Sequence, residues 1–111
     1  MSEVINKEDL RGYVKCLVSN LKNICDPEKF DPNMRFRDGP KMVIYIEEDR
    51  GKIIIAHFQY LNHYHIKFPL FPKGKISEIT DEDIKRFLRD ETNVIEGVTN
   101  NVYNLFNQLK K

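Results

Sequence analysis

Hydrophobic residues follow two different periods along the chain, and the change of period divides it into helical and extended parts. Near the start and again in the C-terminal third they recur every three or four residues, the spacing of one helix face. Between Met34 and Phe68 they alternate with polar residues, the spacing of a β-strand. This order predicts an α+β domain in which helices cover one face of a sheet.

The first helix is marked by signals at both ends. Asn6 and Asp9 form a capping-box variant, in which each side chain is spaced to bind the backbone N–H of the other residue. Asp26 precedes Pro27, and a residue before proline is driven out of the helical conformation, so we predict that the helix ends near Cys25. The apolar stripe between these signals comprises Leu10, Tyr13, Val14, Leu17, Leu21 and Ile24.

Two more helices are predicted in the C-terminal third. Thr80 and Asp83 form a second capping box, which opens a short helix through Arg89. A longer helix follows Asp90, with an apolar stripe about 120° wide that is typical of a core-facing surface. The stripe comprises Val94, Ile95, Val98, Val102, Leu105, Phe106 and Leu109.

Three turn signals divide the extended region into four strands: Asp38-Gly39-Pro40, Asp49-Arg50-Gly51 and Leu61-Asn62-His63. If each turn is a three-residue loop, all even-numbered positions share one face of the sheet. That face is then entirely apolar or aromatic, whereas two-residue turns would bury lysine or histidine. We therefore predict a four-stranded antiparallel meander in the order α-β-β-β-β-α-α, with the helices on the even face. The even face comprises Met34, Phe36, Met42, Ile44, Ile46, Ile54, Ala56, Phe58, Tyr60, Tyr64, Ile66 and Phe68.

Composition and charge exclude several classes of protein. The 111 residues suffice for a single domain, 1–111, and 18 basic against 17 acidic side chains leave a net charge of +1. This balance argues against a strongly basic nucleic-acid binder but is compatible with a local basic face. The longest uncharged apolar run, 42–46, is too short to cross a membrane, and the acidic N-terminus is unlike a signal peptide. We expect a cytoplasmic protein with no membrane partner. A single alanine against twelve isoleucines and ten asparagines suggests an AT-rich microbial or viral genome.

The odd face of the predicted sheet mixes cations, aromatic rings and β-branched residues, and it supports two hypotheses. In the first, an apolar patch is covered by a second copy of the chain, which gives a homodimer. That interface would comprise Val43, Tyr45, Ile53 and Ile55. In the second, the face is a platform for single-stranded nucleic acid, on which bases stack while cations hold phosphates. That platform would comprise Arg35, Arg37, Lys41, Tyr45, His57 and Lys67. A face with no partner is the remaining alternative.

Histidine and cysteine carry the candidate metal and catalytic chemistry. His57 and His65 are diagonal neighbours on the odd face, about 7–8 Å apart at the backbone, so two imidazoles could approach one metal ion. A convincing third ligand is missing, because Glu47 lies two residue pairs away and His63 falls in a turn. Cys16 and Cys25 lie on opposite sides of the predicted helix, so we expect free thiols rather than a disulfide.

The chain has no Gly-rich phosphate loop, no Gly-x-Ser-x-Gly motif and no Cys-x-x-Cys pair. We therefore predict a non-enzymatic binding or interaction protein that uses no cofactor and no small-molecule ligand. Self-association through the odd face is the first hypothesis and nucleic-acid binding is the alternative. A histidine-centred enzyme or metal site at His57 and His65 is the third.

Overall fold

Four antiparallel strands form one sheet between an N-terminal helix and two C-terminal helices. The computed structural model describes residues 4–26, 28–30, 35–72 and 74–109. The strands lie in the order β1-β2-β3-β4, so the predicted α+β arrangement is confirmed. The elements are α1 (Lys7–Leu21), β1 (Arg35–Asp38), β2 (Met42–Asp49), β3 (Ile53–Tyr60), β4 (Tyr64–Phe71), a short 3-10 helix (Ile76–Glu78), α2 (Asp81–Phe87) and α3 (Glu91–Gln108).

The strand register is the one that the alternation of residues predicts. Three residues separate the paired strand ends in every turn: Asp38 pairs with Met42, Asp49 with Ile53, and Tyr60 with Tyr64. Even-numbered positions therefore pair with even-numbered positions, until an irregularity at 54/55 brings Phe71 opposite Ile54. Lys41, predicted to lie on the odd face, is instead the last residue of the first turn. Met34, predicted to open the first strand, lies outside the described residues.

The core lies between the even face of the sheet and the helices. Ile54, Ala56 and Phe58 of β3 have no exposed surface, and they belong to one apolar cluster with Val14 of α1 and Val102 of α3. The opposite face of the sheet lies outside this cluster. The helices thus leave one side of the sheet free to carry other chemistry.

Polar contacts tie α1 to β1 and to α3. The Tyr13 hydroxyl donates a hydrogen bond to the Asp38 carboxylate at 2.6 Å, which holds the end of β1 against the helix. Arg11 donates from Nε to Glu96 of α3 at 2.8 Å. The first contact matters for the outer side of the sheet, because β1 is a four-residue edge strand that carries Arg35 and Arg37.

Several predicted element ends are displaced in the structure. Helix α1 ends at Leu21 rather than near Cys25, because the chain continues in tighter turns in which Asn23 and Ile24 bond to carbonyls three residues back. Cys25 thus lies in a turn, and both cysteines are free thiols as predicted. Strand β4 continues through Pro69, past the predicted end, because an edge strand tolerates proline.

The predicted cap of α2 is present in full, and that of α1 is present in its Asn6 half. The Asn6 side chain accepts from the backbone N–H groups of Glu8 and Asp9, and Thr80 and Asp83 form a reciprocal capping box. Among the described residues, no helix is both long and apolar enough to cross a membrane.

Candidate functional site

A single row of side chains crosses all four strands on the outer face of the sheet. Arg35 of β1 pairs with Tyr45, Tyr45 with His57, and His57 with Lys67 of β4. Neighbouring strands are about 4.8 Å apart, so the row is roughly 14 Å long. It has a cation at each end and two aromatic rings between them. We call the side of the sheet away from the helices the outer face; its strand residues include Arg35, Arg37, Val43, Tyr45, Glu47, Ile53, Ile55, His57, Gln59, His65 and Lys67.

The centre of this row is a stack of three planar groups. The Arg35 guanidinium lies 4.2 Å from the centroid of the Tyr45 ring. The Tyr45 ring in turn stacks on the His57 imidazole, with centroids 4.6 Å apart and planes 27° apart. Arg35 is exposed, whereas only 7% of His57 is exposed. The stack therefore leads from a solvent-facing cation on the edge strand to a buried imidazole at the centre of the sheet.

A hydrogen-bonded network holds the buried imidazole in one tautomer. His57 Nδ1 lies 2.8 Å from the Tyr45 hydroxyl and 3.3 Å from a Glu47 oxygen, while its Nε2 lies 3.0 Å from Nδ1 of His65. An ionised carboxylate can only accept, so the Glu47 contact assigns the His57 proton to Nδ1, with the Tyr45 hydroxyl beside it. Its Nε2 then accepts from the Nδ1–H of His65. Glu47 is also paired with Lys67, at 3.3 Å.

The surroundings of His57 favour its neutral form. Burial lowers the pKa of His57 below its ordinary value, and the positive charges of His65 and Lys67 act in the same direction. Glu47 opposes the shift by accepting a hydrogen bond from the imidazole and attracting its positive form. At neutral pH His57 is therefore uncharged, and its Nε2 accepts a hydrogen bond from His65.

Acid should destabilise the folded protein through His57. Because the pKa of His57 is lower in the folded than in the unfolded state, the unfolded chain binds the proton more readily, and stability is lost as the pH falls below about 6.5. One such group contributes at most about 1.4 kcal/mol per pH unit. Urea unfolding between about pH 7.5 and 5 should show a shallower pH dependence in His57→Gln than in the wild type.

His63→Gln is the matched control for that measurement, because His63 is exposed in the turn before β4. It should retain the wild-type pH dependence. An unchanged slope in His57→Gln, or a flattened slope in His63→Gln, would contradict the assignment.

Two of the four predicted interface residues are not available to a partner. Val43 is 8% exposed and Ile55 is 5% exposed in the single chain, whereas Tyr45 and Ile53 are partly exposed. Ile55, which was predicted to lie in the interface, is therefore buried in the single chain. Both buried residues lie on the central strands β2 and β3, where cross-strand neighbours shield a side chain from two sides.

The exposure of the residues predicted to bind nucleic acid depends on whether their strand is at the edge or at the centre of the sheet. Arg35, Arg37 and Lys67 are exposed on the edge strands, and Lys41 is exposed in the turn after β1. His57, which was predicted to contact the ligand, is buried beneath its neighbours on the central strand β3.

A second row, which the sequence prediction did not assemble, runs beside the first. It places Arg37 opposite Val43, Val43 opposite Gln59, and Gln59 opposite His65. Gln59 and His65 were not chosen as candidates for nucleic-acid binding. Both have odd numbers, and the alternation of residues places odd-numbered positions on the outer face, so the sequence could have identified them.

Charge is distributed unevenly along the outer face. The carboxylates Glu47 and Asp49 lie toward the β2–β3 turn, and Glu47 is already occupied by Lys67 and His57. The two rows that contain Arg35 and Arg37 carry no carboxylate. The half of the face near the β1–β2 turn is therefore the basic half, although the chain as a whole carries only +1.

The metal hypothesis finds no complete ligand set. His57 and His65 do meet, and Glu47 is closer than predicted, but it contacts Nδ1 of His57 while His65 contacts Nε2. Glu47 and His65 therefore lie on opposite sides of the His57 imidazole, and the three groups do not converge on one point. Within residues 4–26, 28–30, 35–72 and 74–109, no group of three or more His, Cys, Asp or Glu side chains is arranged to hold a metal ion.

Comparison of the chain with known proteins gives no relative from which a function could be taken. No protein-family model matches the chain, and no curated protein or solved structure matches it significantly. The function is therefore inferred from the geometry and charge of this face alone.

Proposed function

We propose that the protein is a non-enzymatic binding protein whose outer face holds single-stranded nucleic acid. The observation that carries the proposal is the row of Arg35, Tyr45, His57 and Lys67, which places two stacked rings between two cations. Proteins that bind single strands combine cations that follow the backbone with aromatic rings on which bases stack. Both components are present within roughly 14 Å.

A base can reach the Tyr45 ring only if Arg35 moves. The guanidinium covers one side of that ring and His57 covers the other. An exposed cation–π contact is worth about 0.5–1 kcal/mol, whereas a base stacked on an aromatic ring is worth about 1–3 kcal/mol. The exchange is therefore favourable, and the displaced Arg35 becomes available to a phosphate.

The basic half of the face offers a path for the phosphate backbone. Arg35 and Arg37 are successive outward positions on β1, roughly 7 Å apart, and Lys41 follows in the turn. All three are exposed on the edge of the sheet, where an extended strand can pass without displacing a helix. This local path, rather than net charge, supports an anionic partner.

Self-association through the same face is the second candidate, and the partly exposed Tyr45 and Ile53 favour it. It has less support because Val43 and Ile55 offer a partner little surface. We therefore place nucleic acid before a homodimer.

The proposal predicts salt-dependent binding that weakens when the basic half loses a charge. Fluorescence anisotropy with single-stranded DNA and RNA of about 10 nucleotides should give a linear log–log dependence of affinity on salt between about 50 and 200 mM. Arg37→Gln should reduce the magnitude of the slope by about 0.7, the value for one phosphate contact on a single strand. Arg89→Gln is the matched control, because Arg89 is an exposed arginine at the α2–α3 connection.

Absence of binding at about 50 mM salt would overturn the proposal, as would equal effects of Arg37→Gln and Arg89→Gln. Light scattering on the same preparations tests the second candidate. A mass of two chains that falls to one in Ile53→Asp would support self-association instead.

A further inference from the structure

We propose that His65 makes the outer face pH-sensitive: a proton bound to its outward nitrogen adds a cation to the second row and tightens the binding of nucleic acid. The inference rests on the proposed function, since it concerns the regulation of the same face. It follows from the contact between two imidazoles, Nε2 of His57 and Nδ1 of His65, at 3.0 Å.

The pair can take up one proton without losing its hydrogen bond. With the His57 proton assigned to Nδ1, beside Tyr45 and Glu47, the 3.0 Å contact makes His65 the donor, from Nδ1. That arrangement leaves Nε2 of the exposed His65 as the nitrogen that accepts a proton from solvent. The resulting imidazolium still donates from Nδ1 to His57, and the bond becomes charge-assisted.

A second proton cannot be accommodated in the same way. It would have to bind Nε2 of His57, the atom that accepts from His65, and would place two positive rings in contact. The centroids of the two rings are 5.3 Å apart, and His57 is buried. The pair therefore responds to acid with one added charge, and that charge is on the exposed member.

The groups around the pair leave this charge available to a ligand. From β2 the pair is faced by Tyr45 and Glu47, from β4 by Lys67, and from β1 by Arg35 through the Tyr45 ring. The cross-strand partner of His65 on β3 is the uncharged Gln59.

The one carboxylate of this cluster, Glu47, contacts the far nitrogen of His57 and is paired with Lys67. The second row, from Arg37 to His65, contains no carboxylate, so a bound phosphate is the group that would neutralise the added charge.

The expected signature is a salt dependence that steepens in acid. Histidine changes its charge between pH 5 and 8, so the number of cations on the face should rise as the pH falls through this range. One more phosphate contact on a single strand increases the magnitude of the log–log slope by about 0.7. Wild-type protein should therefore show a slope up to about 0.7 steeper near pH 5.5 than near pH 7.5, and tighter binding at the lower pH.

The test compares wild type, His65→Gln and His63→Gln with the same labelled oligonucleotide at both pH values. His65→Gln should bind with one slope at both, whereas His63→Gln should behave like wild type, because His63 is an equally exposed histidine in the turn. Calorimetry near pH 6 in two buffers of different ionisation enthalpy supplies a second readout. Binding should take up a fraction of a proton in wild type and in His63→Gln, and none in His65→Gln. Circular dichroism at the lower pH verifies that each variant is folded.

The outcomes separate this inference from the proposed function. Binding that is equally strong and equally salt-dependent at both pH values overturns the role of His65 and leaves the nucleic-acid interface in place. A pH response that disappears in His63→Gln, or persists in His65→Gln, also overturns it. Absence of binding at either pH overturns both proposals together.

Discussion

Phe58→Ala should lower the free energy of unfolding by about 3–5 kcal/mol. Phe58 lies at the middle of β3 between Ile44 and Ile66, and none of its surface is exposed. Its removal deletes apolar contacts and leaves a cavity that the sheet cannot close, because the flanking strands fix the backbone. Such a loss is a large share of the 5–15 kcal/mol that stabilises a typical domain. Urea unfolding followed by circular dichroism measures it.

Phe68→Ala is the matched control, because Phe68 lies on the same face of the edge strand β4 and is only partly buried. It should lose distinctly less stability than Phe58→Ala. If Phe58→Ala does not fold, Phe58→Leu removes less volume and allows the same comparison. Equal losses at the two positions would show that the core is not centred on β3.

Alanine should have opposite effects at two glycines. At Gly74, a Cβ atom would overlap the backbone carbonyl oxygen of Gly51 in the β2–β3 turn. Since backbone cannot rotate away as a side chain can, the loop before the 3-10 helix must shift, and we expect a loss of about 1–3 kcal/mol. The same shift would strain the 2.6 Å hydrogen bond from the Ile76 N–H to Glu48.

Gly97 provides the contrast. It is exposed within α3, and a Cβ atom there would have no neighbour within 4 Å. Gly97→Ala should therefore stabilise the protein by about 0.5–1 kcal/mol, the difference between the two residues in a helix interior. Denaturant unfolding of the two variants beside the wild type measures both effects. Destabilisation by Gly97→Ala, or no loss in Gly74→Ala, would contradict the packing of these segments.

The residues proposed to bind nucleic acid lie outside the core, so core packing affects binding only by holding their strand in place. Arg35 and Arg37 reach solvent from an edge strand that the Tyr13–Asp38 hydrogen bond holds against α1. Arg37→Gln alters an exposed side chain, so we expect it to change affinity without changing the fold. His65→Gln also alters the hydrogen bond to the buried His57, so the unfolding of this variant is measured beside its binding. Stability and binding can therefore be measured as separate properties.

The sequence by itself determined the strand register and hence which residues share a face. Three-residue turns keep Met42, Ile44 and Ile46 on one face with the other even-numbered residues, whereas a slip of one residue in β4 would turn His65 and Lys67 toward the core. The helix starts could also be predicted from the sequence. Capping residues such as Asn6 and Thr80 bind backbone groups only two or three residues away, so their effect does not depend on the rest of the fold.

Only the tertiary structure decided how much of each outer side chain reaches solvent. Alternation assigns Val43, Ile55 and His57 to the same face as Arg35, but burial depends on whether a strand is central or at an edge. The tertiary structure also determined that Glu47 and His65 contact opposite nitrogens of the His57 imidazole. That contact depends on two strand pairings and on side-chain rotamers together, and no spacing along the chain specifies all of them.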